Sequence, residues 1–247
     1  MSHSLSGKRA LVTGASRGLG KAIALTLARA GADVAITFEK SAEKAQAVAE
    51  DIRGFGRKGI AIQADSANPQ AARDAVGQAV AQLGGLDILV NNAGIARGGQ
   101  MEAMSQEDID ALINVNIRGV VFATQAALAH LPDGGRIINI GSSLSDRVPL
   151  QNVTVYSMTK SALNSLTRGL ARDLGARGIT VNMVKPGSTD SDMNPADGEN
   201  ADEQRRLTAL GHYGEAQDIA EAVAFLASPA AKHITGTDIV VDGGANA

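Results

Sequence analysis

A doubly wound α/β fold built on a seven-stranded parallel sheet is predicted from three observations. Short apolar runs recur along all 247 residues, each followed by a longer amphipathic segment. The runs are apolar at consecutive rather than alternate positions, as strands covered on both faces require. The first run ends in a glycine-rich turn that opens a helix. Parallel neighbours need long crossover connections, and the amphipathic segments supply them.

In chain order, the first strand is predicted over 9–13, with its helix running to Ala30. A second strand over 33–37 leads to a helix over 41–53. Strands over 60–63, 86–90, 136–140, 180–184 and 238–241 complete the series. The remaining helices fall at about 69–83, 106–130, 153–174 and 216–227. No internal repeat, low-complexity tract or linker interrupts this alternation, so one domain over 1–247 is expected.

Composition narrows the function. A net charge of -3 with no Lys/Arg block argues against a nucleic-acid backbone as partner. Aromatic residues at 2% are too few for base-stacking platforms. With no cysteine there is no disulfide framework, thiol nucleophile or thiolate metal site, and the four histidines have no metal-ligand spacing, so no metal is expected. No apolar core of signal-peptide length opens the chain, and no run reads as long enough to cross a bilayer. A cytoplasmic protein is expected, with no membrane partner.

The chemistry centres on Tyr156-Ser157-Met158-Thr159-Lys160. Four residues make one helical turn, so Tyr156 and Lys160 project from the same face and address one small molecule. An ammonium near a phenol favours the phenolate and makes the phenol a better proton donor near neutral pH. The turn after the first strand, Thr13-Gly14-Ala15-Ser16-Arg17-Gly18-Leu19-Gly20, reads T-G-x-x-x-G-x-G rather than G-x-G-x-x-G. Its glycines let the backbone approach a pyrophosphate, with the amides of a helix N-terminus as donors.

These motifs, with Asn91-Asn92-Ala93-Gly94 after the fourth strand, Asn116 in Asn114-Val115-Asn116-Ile117, and Pro186-Gly187, stand in the order of the short-chain dehydrogenase/reductase family, which the chain resembles from Gly7 to Gly244. The resemblance implies a Rossmann fold and an oxidoreductase that reduces a ketone or other carbonyl. By this likeness Asn116, a serine, Tyr156 and Lys160 are catalytic. Gly14, Ser16, Arg17, Gly18, Leu19 and Gly20 hold the cofactor pyrophosphate side. Asp65, Ser66, Asn92, Ala93 and Gly94 take its adenosine side, and Pro186, Gly187, Thr189 and Ser191 its nicotinamide side, with Tyr156 and Lys160 on the ribose. The serine is Ser142 by registering on the strand exit Ile140-Gly141-Ser142, and Ser143 by counting thirteen back from Tyr156; strand register favours Ser142.

In NAD-preferring relatives an acidic residue directly follows the second strand. Phe38 stands there in this chain, with Arg17, Lys40 and Ser41 within reach of a 2′-phosphate and Glu39 as the contrary signal, so NADPH is expected over NADH. The polar stretch over 188–212 is expected to be a substrate lid. Asp146, Arg147, Gln151 and Asn152 suggest a polar pocket wall, and Arg168, Arg172 and Arg177 a docking patch should the substrate be a 3-oxoacyl thioester on a carrier protein. Surplus apolar residues on the helices at 106–130 and 161–174 (Ala126, Ala127, Leu163, Leu166, Leu170) suggest a homotetramer. The alternative from another class is a non-catalytic nucleotide-binding sensor. Lys185, directly before Pro186, has no evident role in the sequence.

Overall fold

The computed structural model describes residues 4–247; His3 and the first residues of the chain lie outside this range. The strands are β1 (Arg9–Val12), β2 (Asp33–Phe38), β3 (Gly59–Gln63), β4 (Ile88–Asn91), β5 (Arg136–Ile140), β6 (Thr180–Pro186) and β7 (Asp238–Val241). They pair in parallel in the order β3-β2-β1-β4-β5-β6-β7, one seven-stranded sheet. β1 pairs with β2 on one side and β4 on the other, so the strand order reverses beside it.

Why the strands read as apolar throughout is plain from their faces. Ala10, Val12, Val34, Ile36, Ile88, Val90, Ile138 and Ile140 pack into one core with Ile23, Leu27, Val223 and Ala224. Their neighbours Leu11, Ala35, Leu89, Ile137 and Val181 point the other way, onto Val76, Ala79, Ala123, Ala127 and Leu174. The first layer is helices α1 (Gly18–Arg29), α2 (Ala42–Gly54) and, near the chain's end, the helix Ala216–Ala227. The second is α3 (Pro69–Leu83), the continuous helical stretch α4 (Gln106–Ile113), a π-helical segment (Asn114–Gly119) and α5 (Val120–Leu128), and α6 (Thr154–Leu174).

Two elements differ from expectation. The helix predicted over 106–130 carries the π segment in its middle, a widening that turn-by-turn periodicity does not reveal. Residues 106–128 are also long and apolar enough, by length and composition, to cross a bilayer. Their Leu112, Asn116, Val120, Ala123 and Ala127 are buried in this chain's own core and polar network. Within the expected lid, Ala201–Leu207 forms a helix, α7, which makes Ala216–Ala227 α8. Its short, highly charged sequence gave no periodic signal.

Surplus apolar surface is smaller than expected. Ala127 and Leu163 are 0% and 1% exposed, and Ala126, Leu166 and Leu170 pack against the same cores. Val121 and Met158 are the large apolar residues that α5 and α6 expose.

Candidate active site

Parallel sheets present ligands at their carboxyl edge, beside the point where strand order reverses. At that edge a cavity of about 770 Å³ opens, lined from the β1–α1 turn, the ends of β2, β4, β5 and β6, the start of α6 and the segment after Pro186.

The glycine turn is shaped by close approach. Gly14 has φ +65, and a Cβ there would lie 2.7 Å from Ala93 Cα. A Cβ on Gly20 would lie 2.5 Å from Asn92 Nδ2 and 2.6 Å from Gly14 O. Asn92 Nδ2 donates to the carbonyls of Thr13 and Gly14 at 2.9 and 3.0 Å, and the amides of Asn92 and Ala93 both donate to Thr13 Oγ1 at 3.0 Å. The N-N-A-G segment therefore braces the glycine turn. Arg17 at the N-cap gives α1 no side-chain cap, which leaves first-turn amides free for an anion, and Ser16, Arg17, Gly18, Leu19 and Gly20 all line the cavity. A turn whose Gly14 and Gly20 admit no side chain, at an uncapped helix start, fits a dinucleotide pyrophosphate.

Phe38, Lys40, Ser41, Asp65 and Ser66 line the far end, as does Glu39. Both cations there already face carboxylates. Lys40 Nζ is 3.0 Å from Glu39 Oε1. Arg17 Nη1 donates to Asp192 Oδ2 at 2.9 Å, bridging the glycine turn to the segment after β6, and holds the Asp192 carboxyl below its usual range. Asp65 Oδ1 accepts from Ala67 N at 2.8 Å, which shapes the turn after β3.

At the other end, Lys160 and Asn116 converge on Gly94, where a Cβ would lie 3.3 Å from Lys160 Nζ and 3.4 Å from Asn116 Oδ1. Lys160 Nζ donates to Ile140 O at 3.0 Å, and burial pushes its pKa down to about 8. Burial raises the Tyr156 phenol, while the Ser142 hydroxyl beside it pulls the other way. The lowering of the phenol pKa expected from Lys160 is not what this structure has. Its ammonium lies 6.0 Å from the tyrosine ring centre and is engaged with the Ile140 carbonyl.

Asn116 is fully buried and its amide is committed: Oδ1 accepts from Ile95 N at 2.9 Å, and Nδ2 donates to Ile95 O and Thr159 Oγ1, each at 3.0 Å. It ties the loop after β4 to the helix that carries Tyr156. Ser142 and Ser143 are both buried and both line the cavity. Ser142 Oγ accepts from Leu144 N at 3.2 Å, and the Ser143 carbonyl accepts from Asn246 Nδ2 at 2.8 Å.

The cofactor-side residues after β6, Pro186, Gly187, Thr189 and Ser191, line the cavity too. A family model described as Enoyl-(Acyl carrier protein) reductase matches residues 14–246. The chain is a short-chain dehydrogenase/reductase. Among its relatives, the Staphylococcus aureus 3-oxoacyl-[acyl-carrier-protein] reductase is 43% identical over 240 residues, covering 96% of this chain and 97% of that one. The cyclic-di-GMP-binding biofilm dispersal mediator protein of Escherichia coli is 41% identical over 237 residues, 96% of each. A crystal structure of a short-chain dehydrogenase from Burkholderia cenocepacia in complex with NADP has a TM-score of 0.97 at 59% identity, covering 98% of this chain and 99% of that one.

Several features of this dehydrogenase/reductase lay beyond sequence reasoning. The polar wall expected between 144 and 155 does not face the cavity: Leu144, Pro149, Leu150 and Val153 line it instead. Asp146 turns to Lys185, and Arg147 donates to Ala245 O at 2.7 Å. Lys185 is 1% exposed and sits between two carboxylates, 2.7 Å from Asp146 and 3.0 Å from Asp238. Its partners are 39 residues upstream and on the neighbouring strand, so no local pattern announces them. Met193, Gln204, Leu207 and Asn246 also line the cavity, and tertiary folding alone brings them there.

Proposed function

We propose that the chain is an NADPH-dependent oxidoreductase that reversibly reduces a ketone or other carbonyl compound to the alcohol. The observation that carries this reading is the convergence of Ser142, Tyr156 and Lys160 on one cavity wall, with Lys160 one helical turn past Tyr156. NADPH, when bound, supplies the hydride. Ser142 donates a hydrogen bond to the carbonyl oxygen and fixes its position. Tyr156 passes its phenolic proton to that oxygen as negative charge grows there. Lys160, charged below its pKa of about 8 and one turn from the phenol, binds ribose hydroxyls. Asn116 holds the loop and helix that set these groups in place, on the proton's route to solvent. In the oxidising direction the phenolate is the base, so alcohol oxidation rises with pH.

The glycine turn and the first-turn amides of α1 would hold the pyrophosphate, with Asp65, Ser66, Asn92, Ala93 and Gly94 along the adenosine side. Arg17, Lys40 and Ser41 would take the 2′-phosphate. Pro186, Gly187, Thr189 and Ser191 would hold the nicotinamide half. The excursion after β6 serves as a substrate lid, its base stapled where Asp190 N donates to Gly214 O and Gly214 N to Ser188 O, both at 2.9 Å.

The alternative substrate is a carrier-bound 3-oxoacyl thioester, for which Arg168 and Arg172 would form the docking patch. Arg168 and Arg172 lie 12 and 16 residues past Tyr156 on one helix, about 18 and 24 Å along its axis from the catalytic turn. A second reading, a nucleotide-binding sensor, draws on the similarity to the cyclic-di-GMP-binding mediator. NADPH oxidation over a ketone panel separates the two. The wild type is expected to turn over, and Tyr156→Phe to lose about 10²–10⁴-fold in rate while still binding NADPH. A fully active Tyr156→Phe overturns the mechanism; nucleotide binding without turnover in both proteins supports the sensor.

A further inference from the structure

We propose that the substrate half of the cavity takes an uncharged carbonyl compound with a hydrocarbon arm, an alkyl or arylalkyl ketone rather than a keto acid or a sugar; this rests on the carbonyl-reductase reading. The two segments that bracket Tyr156 supply its walls. Leu144, Pro149, Leu150 and Val153 come from the stretch between Ser142 and α6, and Met193 and Leu207 from the segment after β6. Most polar side chains in this half are engaged with one another or with backbone. Asn194 and Gln204 exchange two hydrogen bonds of 2.9 Å, and Gln204 Oε1 also accepts from Ser188 Oγ at 2.8 Å. Asn246 Nδ2 is bound to the Ser143 carbonyl, and the Arg97 guanidinium to Asp108.

What remains to meet a substrate is a short uncharged polar strip, the hydroxyls of Ser142, Ser143 and Tyr156, beside aliphatic surface. A carboxylate or a row of sugar hydroxyls placed against these walls would lose water without gaining partners. Met193 is 57% exposed on the open side of the cavity, an apolar side chain that a hydrocarbon arm would cover. Its unbranched, flexible chain adapts to arms of different shape.

The test is a homologous series of 2-alkanones from butanone to octanone, with 4-oxopentanoate as the charged counterpart. Turnover with NADPH is read as kcat/KM, and binding by calorimetry with NADP+ present, which needs no turnover. Each added methylene is expected to raise kcat/KM and affinity about two- to fourfold until the walls are filled. The carboxylate should lower both by about tenfold or more. Met193→Ser should flatten the chain-length slope, and Met193→Leu should restore it. A flat series, or a preference for the keto acid, overturns the inference while leaving the reductase reading intact. Affinity that climbs with chain length in a protein that turns nothing over keeps the apolar site and overturns the reductase reading.

Discussion

Lys160 and Lys185 are both buried, but their surroundings differ in kind. Lys160 has a carbonyl beside it and its pKa falls to about 8, from 10.5 for a free side chain. Between those values the unfolded chain binds a proton that the folded chain does not, so stability from this residue rises with pH there. Below pH 8 the folded chain carries the buried charge, and that gain is gone. The Tm of wild type minus that of Lys160→Met should therefore be flat below about pH 7 and climb from pH 8 toward 10.5, as read by calorimetry. Lys185, by contrast, bridges Asp146 and Asp238, and Asp146 lies just past the turn that begins at Ser142. Replacing it with Met leaves two partly exposed carboxylates facing each other without a cation. A loss of about 1–3 kcal/mol is expected in urea unfolding, below the range for fully buried pairs because both carboxylates reach water. Lys185→Met with Asp146→Asn should recover part of that loss; full additivity of the two changes would mean that the pair is not coupled.

Among the elements, the β1–α1 turn and the segment after β6 meet through one ion pair. Arg17 and Asp192 are 57% and 54% exposed at their side chains, so this contact is salt-sensitive and contributes little to stability. Its consequence is for binding, because a 2′-phosphate and Asp192 would compete for the same guanidinium. Arg17→Ala should weaken NADPH by about ten- to a hundredfold and leave NADH nearly unchanged, since a charge-assisted contact amounts to about 1.5–3 kcal/mol. Asp192→Asn should tighten NADPH at low salt, an effect that fades as ionic strength rises. Equal weakening of both nucleotides by Arg17→Ala would assign the arginine to the pyrophosphate or to the turn itself. Fluorescence titration of the reduced nucleotides measures all of these.

Taken as a whole molecule, the chain was most legible where one local pattern has one structural solution. The run Arg136–Ile140, with Ile137 facing one core and Ile138 and Ile140 the other, appears as a strand with the predicted ends. Tyr156 and Lys160 share a helix, and helix periodicity places them together. Illegible were the features that depend on distant partners: the Lys185 carboxylates, the inward turn of Leu150 and Val153, and the burial of Ala127 and Leu163 in the chain's own core. With the helices' interior residues satisfied, the apolar side chains left outside include Val121 and Met158 on α5 and α6, at 36% and 49% exposure, and Val240 at 42% on β7. β7 pairs with β6 alone and so presents an unpaired edge, the kind of surface that a natural sheet covers or charges. Val240 is neither, and a second copy related by a two-fold would cover it, while the α5 and α6 residues would serve a second interface. Two independent two-folds make a dimer of dimers. Sedimentation velocity should then give a tetramer, with Val240→Lys yielding dimers that keep their fold by circular dichroism. A monomer at micromolar concentration would reduce these residues to the scattered surface apolars of any globular protein.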